Sequence, residues 1–160
     1  MLLAVATAGA YINYAFPRAI ETPAVNLGMQ GVSPERGQYL ANHVAVCMDC
    51  HSKRDWSVFS GPMVAGTEGS GGEKFGREAG FPGEIYATNL TSWHLSGWTD
   101  NEIYRAVCAG IGKDGKALFP LMGYRRFGKM ALEDVYSIIL YIRSLQPVRN
   151  ELPGTVLDFR

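Results

Sequence analysis

The sequence has no surplus of charge of either sign, because 15 Lys and Arg residues balance 15 Asp and Glu residues in a chain of 160 residues. Proteins that bind nucleic acid usually carry a basic patch, so this balance argues against nucleic acid as a partner. Cysteine is scarce as well, and a framework built only of disulfides would leave one of the three cysteines over. Apolar residues make up 47% of the chain and charged residues 19%, which indicates a globular domain with a buried core.

Charge is absent altogether from the first sixteen residues, MLLAVATAGAYINYAF. The stretch is slightly short for a helix that spans a bilayer, which needs about 20 apolar residues, and it lacks the positive N-terminal region of a secretory signal peptide. We predict that residues 1–17 form all or the lower part of a transmembrane anchor and that residues 18–32 form an extended linker. A signal peptide, or a hydrophobic helix buried in a partner, is the alternative for the same stretch.

Three helices are predicted downstream, in a body over residues 33–146 that is followed by an extended tail over residues 147–160. A Ser-Pro-Glu start at residues 33–35 opens the first helix, which we expect to continue to the CMDCH stretch. A capping box at residues 99–102 opens the second helix, which should end at a glycine. The third runs over residues 132–145 with an apolar stripe at helical spacing.

The region between the first two helices is rich in glycine. Residues 57–92 show no helical period, and residues 84–87 favour a short strand. We therefore predict an all-α fold with a long Gly-rich loop that leaves room for a short hairpin.

The chemistry is concentrated in residues 47–51, Cys-Met-Asp-Cys-His. In a C-x-x-C-H motif the two thiols bond to the haem as thioethers, and the adjacent histidine ligates the iron. A zinc site would need four ligands, so Cys108 and a further histidine would have to join the motif. A redox dithiol would need a βαβ pattern around it. The motif therefore predicts one covalent haem c held by Cys47, Cys50 and His51, with His51 on the iron.

A haem iron that carries electrons usually has a second axial ligand, and methionine is the usual one in cytochromes c. Met122 lies in a tight Pro/Gly loop, FPLMGY, outside any helical stripe, so we predict it as that ligand. Met130 is the alternative methionine, although its place before the last helix favours packing. His43 or His94 would give a bis-histidine haem instead.

With these motifs in view, residues 33–146 resemble class I c-type cytochromes. The resemblance is to single-haem domains with an elongated loop in membrane-associated respiratory cytochromes, including relatives of the cytochrome subunits of quinoprotein dehydrogenases. It is carried by RGQYLANHVAVCMDCHS, GPMVAG, IYATNLT, GWTDNEIYRAVCAGIGKDGKALFPLMGY and KMALEDVYSIILYIRSLQPV. It implies the class I cytochrome c fold, an all-helical haem shell in which the first and last helices cross closely.

The resemblance also implies roles for individual residues. It places Gly37, Tyr39 and Tyr141 at the crossing of the first and last helices, where the glycine lets the backbones approach and the aromatic rings fill the groove. It assigns to the Pro62 carbonyl the hydrogen bond from the ligating histidine, which would fix that ring and raise its basicity.

Three further residues match the positions that line the haem edge and the propionates in the family: Trp98, Arg105 and Tyr124. The chain departs from the family pattern in having Gly123 after the ligating methionine, where proline is common, and this leaves the ligand loop less rigid. Cys108 stands alone in the second helix, and we expect it to be an inert buried thiol.

Together, motif and resemblance imply a membrane-tethered cytochrome that transfers one electron at a time by a covalent haem c with His/Met ligation. Such a domain is no enzyme by itself and has no catalytic residue. Its expected partners are redox proteins or the membrane subunits of a respiratory or photosynthetic complex. The expected location is the bacterial inner membrane, with the haem domain on the periplasmic side, where this family attaches its haem. A haem sensor or enzyme with an open sixth coordination site is the alternative.

Overall fold

The computed structural model describes residues 2–15 and 22–158 of the chain. The chain divides into two compact units, which are described separately below. The first unit comprises residues 1–25 and 98–130, and the second comprises residues 26–97 and 131–160. The predicted 33–146 domain therefore contributes to both units.

Within these described ranges the secondary structure comprises helices and three short strands. The α-helices are α1 (Leu2–Ala15), α2 (Pro34–Tyr39), α3 (Cys47–His51), α4 (Ser92–Leu95), α5 (Asp100–Ala109), α6 (Tyr124–Phe127) and α7 (Leu132–Ser144). The strands are β1 (Lys74–Phe75), β2 (Gly83–Tyr86) and β3 (Val156–Leu157). A π-helical turn over Leu40–Val44 and a 3-10 turn over Arg77–Ala79 complete the list.

The predicted N-terminal transmembrane helix is wrong. Helix α1 has 14 residues, which at about 1.5 Å per residue span roughly two thirds of a hydrocarbon core about 30 Å thick. Over the described residues, the structure contains no helix with both the length and the apolar character that crossing a membrane requires. Residues 1, 16 and 17 of the predicted anchor lie outside the described ranges.

The core of the second unit forms where α2 packs on α7, as the resemblance led us to expect. A Cβ atom built on Gly37 would lie 1.9 Å from the Ser137 carbonyl oxygen and 2.9 Å from the Tyr141 Cβ, so only glycine permits this approach of two backbones. The Ser137 hydroxyl also accepts a hydrogen bond from the Ser33 N–H at 3.2 Å, which joins the start of α2 to α7. The side chains of Ile138 and Ile139 are buried in this core.

The first helix of this unit is shorter than the sequence predicts. It begins as expected, with the Ser33 hydroxyl accepting from the Arg36 N–H, but it passes into the π-helical turn and ends before α3. Val46 then adopts a left-handed conformation with φ +49°, which is rare for a β-branched residue and redirects the chain into the C-x-x-C-H helix. Tyr39 is 60% exposed and lies beside the His43 ring, so the expectation that it fills the helix crossing is wrong.

The prediction of an all-α fold is corrected by a three-stranded antiparallel sheet in the second unit, in the order β1-β2-β3. Lys74 pairs with Tyr86 across β1 and β2, so the predicted short strand and hairpin are present. Gly83 pairs with Leu157 across β2 and β3. The tail that was expected to lie extended on the surface thus supplies a strand, and Arg77 reinforces it through an ion pair with Asp158.

In the first unit, α5 begins and ends where the sequence predicts. The Thr99 side chain accepts from the Glu102 N–H, and the Glu102 carboxylate accepts from the Thr99 N–H, which completes the capping box. The helix ends at Gly110, whose φ of +68° suits glycine. The Tyr124 ring of α6 lies against Gly110, in the space that a Cβ atom there would occupy.

Candidate haem-binding site

The C-x-x-C-H motif forms the short helix α3, and this conformation groups its reactive atoms. Cys47 and Cys50 are three residues apart, so they lie on one face of the helix, with His51 directly after them. All three cysteines of the chain are free thiols. Covalent haem c requires two thiols that can bond to the haem as thioethers and an imidazole beside them that can ligate the iron, and α3 groups these three side chains.

His51 is held at both its main chain and its side chain by segments far away in sequence. Its carbonyl oxygen accepts from the Gly71 N–H at 2.8 Å. Its Nδ1 lies 2.7 Å from the Thr88 carbonyl oxygen, and because a carbonyl can only accept, Nδ1 carries the proton and donates. In the neutral ring the Nε2 atom is then unprotonated and keeps its lone pair for a metal.

The surroundings of His51 also favour the ligating form of the ring. Burial lowers the pKa of His51 below its usual value of 6.5, an effect only partly opposed by the hydrogen bond to Thr88. The ring is therefore neutral at physiological pH, as an iron ligand must be. The orientation, tautomer and charge of the His51 ring are all those of an imidazole that can ligate iron.

The hydrogen bond expected at Pro62 is found at Thr88 instead. The Pro62 carbonyl accepts from the Asp55 N–H at 2.9 Å, and it thereby closes a hairpin-like loop after the motif. Arg54 and Met63 pair across the same loop in an antiparallel bridge. Thr88 has no signature in the sequence, because the acceptor is a main-chain atom that any residue could supply.

The two thiols of α3 have the wrong acidity for a redox dithiol. Burial raises the pKa of Cys47 to about 11. The pKa of Cys50 is also raised, first by burial and then by the negative charges of Asp49 and Glu73. Cysteines that exchange disulfides at neutral pH have lowered pKa values instead, so these thiols fit tethering better than redox cycling.

Met48 and Asp49, which the motif leaves unspecified, both hold helix α3, which carries His51, against the residues that follow it. Met48 is 2% exposed, and its sulfur accepts a weak hydrogen bond from the Ser52 hydroxyl, which in turn accepts from the Gly69 N–H. Asp49 forms an ion pair with Arg54 at 2.8 Å. The contacts of Met48 connect α3 to the Gly-rich loop through Ser52, and the ion pair of Asp49 connects α3 to the residues directly after it. The sequence alone did not reveal these contacts.

The remaining predicted haem residues lie in the first unit. Met122 is half-buried in the turn before α6, where its carbonyl accepts from the Tyr124 N–H at 2.8 Å. Trp98 is half-buried next to the start of α5. Arg105 donates through Nη2 to the Gly112 carbonyl at 3.1 Å, while its buried Nε has no hydrogen-bond partner. The predicted set is thus divided between the units, with Cys47, Cys50, His51 and Pro62 in the second.

The two alternative histidine ligands are exposed side chains. His43 lies on the π-helical turn with its ring centroid 5.5 Å from that of Tyr39, and His94 lies on α4. In the part of the chain that the structure describes, no three His, Cys, Asp or Glu side chains form a group that could hold a metal ion. Cys108 is half-buried, and burial raises the pKa of its thiol to about 11.

Comparison with known proteins adds independent evidence. The chain is 32% identical over 132 residues to the cytochrome subunit of fructose dehydrogenase from Gluconobacter japonicus, covering 79% of this chain and 24% of that protein. It is 32% identical over 119 residues to the cytochrome c subunit of a quinone-type alcohol dehydrogenase from Komagataeibacter europaeus, covering 71% and 22%. The chain is related to the cytochrome c subunits of dehydrogenases.

A third relative agrees with this identification. The cytochrome c subunit of gluconate 2-dehydrogenase from Pantoea cypripedii is 29% identical over 110 residues, covering 67% of this chain and 22% of that protein. The chain spans about a quarter of the length of each of these three curated relatives. No protein-family model matches the chain. The relationship confirms the recognition of a c-type cytochrome, and with it covalent haem c as the cofactor.

Proposed function

We propose that this chain is an electron-transfer domain that binds haem c through Cys47 and Cys50 and ligates the iron through His51. The observation that carries the proposal is the state of His51, whose Nδ1–H donates to Thr88 and leaves Nε2 for iron. The motif and the relationship to cytochrome c subunits support the same assignment. The domain would carry electrons and would not by itself transform a substrate.

Three residues of α3 have a defined task in this proposal. Haem c supplies a reversible one-electron couple between ferric and ferrous iron when it is bound. Cys47 and Cys50 would tether it through thioether bonds, so neither sulfur would change its oxidation state during turnover. His51 would hold one axial position as a neutral ring whose orientation Thr88 fixes.

We further propose Met122 as the second axial ligand. Methionine opposite histidine is the usual pair in cytochromes c and favours a higher potential. The support comes from the FPLMGY loop, where Met122 lies half-buried outside any helix, whereas Met130 directly precedes the cap of α7. With both positions filled, the iron would exchange electrons rather than bind small molecules.

The names of the relatives support a place for the domain in a dehydrogenase complex. Those proteins are cytochrome subunits of fructose, alcohol and gluconate dehydrogenases. We propose that this domain likewise receives electrons from a catalytic subunit and passes them to a further acceptor. The resemblance to class I cytochromes c supports a periplasmic location for it. Fractionation of cells tests that location, and the proposal includes no membrane-spanning helix.

The ligand assignment is tested by replacing each of the two methionines in the full-length haem protein. In Met122→Ala, the charge-transfer band between the haem iron and the methionine sulfur should disappear from the oxidised protein, and the reduced protein should bind carbon monoxide rapidly. In the matched control Met130→Ala, the band should remain. Retention of the band in Met122→Ala would show that another residue ligates the iron. Rapid binding of carbon monoxide by the unaltered protein would favour a sensor or an enzyme with an open site.

A further inference from the structure

The acceptor of the His51 hydrogen bond lies on an exposed segment, which raises the question of what holds it in place. Thr88 is exposed and lies in the connection between β2 and α4, outside regular secondary structure. Its carbonyl oxygen can remain 2.7 Å from Nδ1 of His51 only if the neighbouring backbone is fixed. Ala87, on one side of Thr88, is held by two backbone hydrogen bonds to the Gly-rich loop, and Asn89 provides the restraint on the other side.

Asn89 is 2% exposed, and its side chain makes three hydrogen bonds, two with Thr91 and one with the backbone of Val148. Its Oδ1 accepts from the Thr91 N–H at 2.8 Å and from the Thr91 hydroxyl at 2.7 Å, which folds residues 89–91 into a tight turn. Its Nδ2 donates to the Val148 carbonyl at 2.8 Å, which ties the turn to the segment after α7.

Thr91 completes the connection from the opposite direction. Its side chain is fully buried, and its hydroxyl accepts from the Val148 N–H at 3.2 Å. Val148 therefore binds Asn89 through its carbonyl and Thr91 through its N–H, much as a paired strand residue would. The turn is also joined to the Gly-rich loop, since the Leu90 N–H donates to the Gly69 carbonyl at 2.6 Å.

We propose that Asn89 is a positioning residue for the haem ligand, which holds the Thr88 carbonyl against His51 and so helps to set the reduction potential of the iron. This inference rests on the proposed function, since it requires iron on His51. The Thr88 carbonyl takes the role that the resemblance assigns to the Pro62 carbonyl, and a buried asparagine and its threonine partner hold it in place.

The direction of the effect follows from the electronic role of the hydrogen bond. A donor bond from Nδ1 to a carbonyl increases the electron density on Nε2 and the basicity of the ligand. A more basic ligand stabilises ferric iron over ferrous iron, which lowers the potential. Loss of Asn89 would let the Thr88 carbonyl move away and would therefore raise the potential.

The test measures midpoint potentials of the full-length haem protein. In Asn89→Ala, the ratio of ferrous to ferric iron at a fixed ambient potential should rise about tenfold, which for a one-electron couple is about 59 mV. Ser137→Ala is the matched control, because Ser137 is also fully buried in the second unit and bridges two segments without touching the 88–91 turn. It should lower the unfolding temperature and leave the potential unchanged.

A second pair of variants distinguishes a specific shift in potential from a general loss of folding. Thr91→Ser retains the hydroxyl group that bonds Asn89 and Val148, whereas Thr91→Val removes it. The potential should rise in Thr91→Val and stay near that of the unaltered protein in Thr91→Ser. The Nδ1 proton of His51, observed by NMR, should exchange with solvent faster in Asn89→Ala and Thr91→Val than in the two controls.

The outcomes separate this inference from the function on which it rests. If the unaltered protein holds no covalent haem, the proposed function fails and the inference fails with it. If haem is attached and carries electrons, but Asn89→Ala and Ser137→Ala shift the potential equally or not at all, only the inference is overturned. Equal potentials in the two Thr91 variants would overturn it as well.

Discussion

The two proposed iron ligands are held in different ways. His51 is fixed by partners far away in sequence, since its carbonyl bonds Gly71 and its ring bonds Thr88. The loop that carries Met122 is closed by bonds between near neighbours instead. Gly112 donates to Lys116 at 2.8 Å, and Tyr124 donates to the Met122 carbonyl itself.

This difference indicates which half of the proposed haem site depends on the tertiary fold. The histidine side requires the Gly-rich loop, the 88–91 turn and the segment after α7 to assemble around α3. The methionine side requires a short loop and a helix that are specified locally. Changes that disturb distant packing should therefore damage the histidine side most, whereas local changes in the first unit should have smaller effects.

The largest effect on stability is expected at the long-range packing of the second unit. Gly37→Ala should lower the free energy of unfolding by about 3 kcal/mol or prevent folding, because the new methyl group would overlap the Ser137 backbone and no rotamer can relieve the overlap. Chemical denaturation measures this change.

Gly154→Ala is the matched control in the same unit. A Cβ atom at Gly154 meets nothing within 4 Å, so the change should stay within about 0.5 kcal/mol. Similar stability losses in the two variants would contradict the close crossing of α2 and α7.

A smaller effect is expected from a local change in the first unit. Thr99→Ala removes the side chain that accepts from the Glu102 N–H at the start of α5, and loss of such a cap costs about 1 kcal/mol. Amide exchange along α5 measures the loss, while the Nδ1 proton of His51 should keep its protection. Thr99→Ser retains the hydroxyl and should behave like the unaltered chain. If exchange of the His51 Nδ1 proton accelerated as much as exchange of the α5 amides, the His51 side of the site would also depend on this local cap.

The smallest effect is the pH dependence of the same cap. The N–H of Thr99 lowers the pKa of Glu102 below its usual value of about 4.5, because it donates to the carboxylate. The unfolded state then binds the proton more tightly, so the contribution of the cap is fully present above pH 4.5 and is lost as the pH falls through the lowered pKa. Exchange in α5 should follow this titration and become independent of it in Glu102→Gln. An unaltered titration in that variant would assign the effect to another group.

Features that depend on near neighbours could be predicted from the sequence. The start of α2 at Ser33, the capping box at Thr99 and the span of α7 all follow from caps and periodicity, and the structure confirms them. The C-x-x-C-H motif identified the cofactor for the same reason, since its chemistry lies within five residues.

Features that depend on distant pairing could not be predicted in this way. Nothing near β3 indicates that it pairs with β2, because its register is set by a strand about seventy residues earlier. The Thr88 carbonyl has no side-chain signature, so the family expectation of Pro62 stood in its place. The transmembrane prediction for the N-terminal stretch was wrong for another reason. Its composition is apolar, but the helix that it forms is too short to cross a membrane.

If Cys47 and Cys50 hold haem c covalently next to His51, the haem will stay on the chain when the protein unfolds, and intact-mass spectrometry of the denatured protein measures this. We expect the unaltered chain to carry the added mass of one haem through denaturation and acid extraction. The Cys47→Ala/Cys50→Ala double variant should lose this mass, whereas Cys108→Ala should retain it. An unaltered chain without the added mass, or a double variant that keeps it, would show that these two cysteines do not hold the haem.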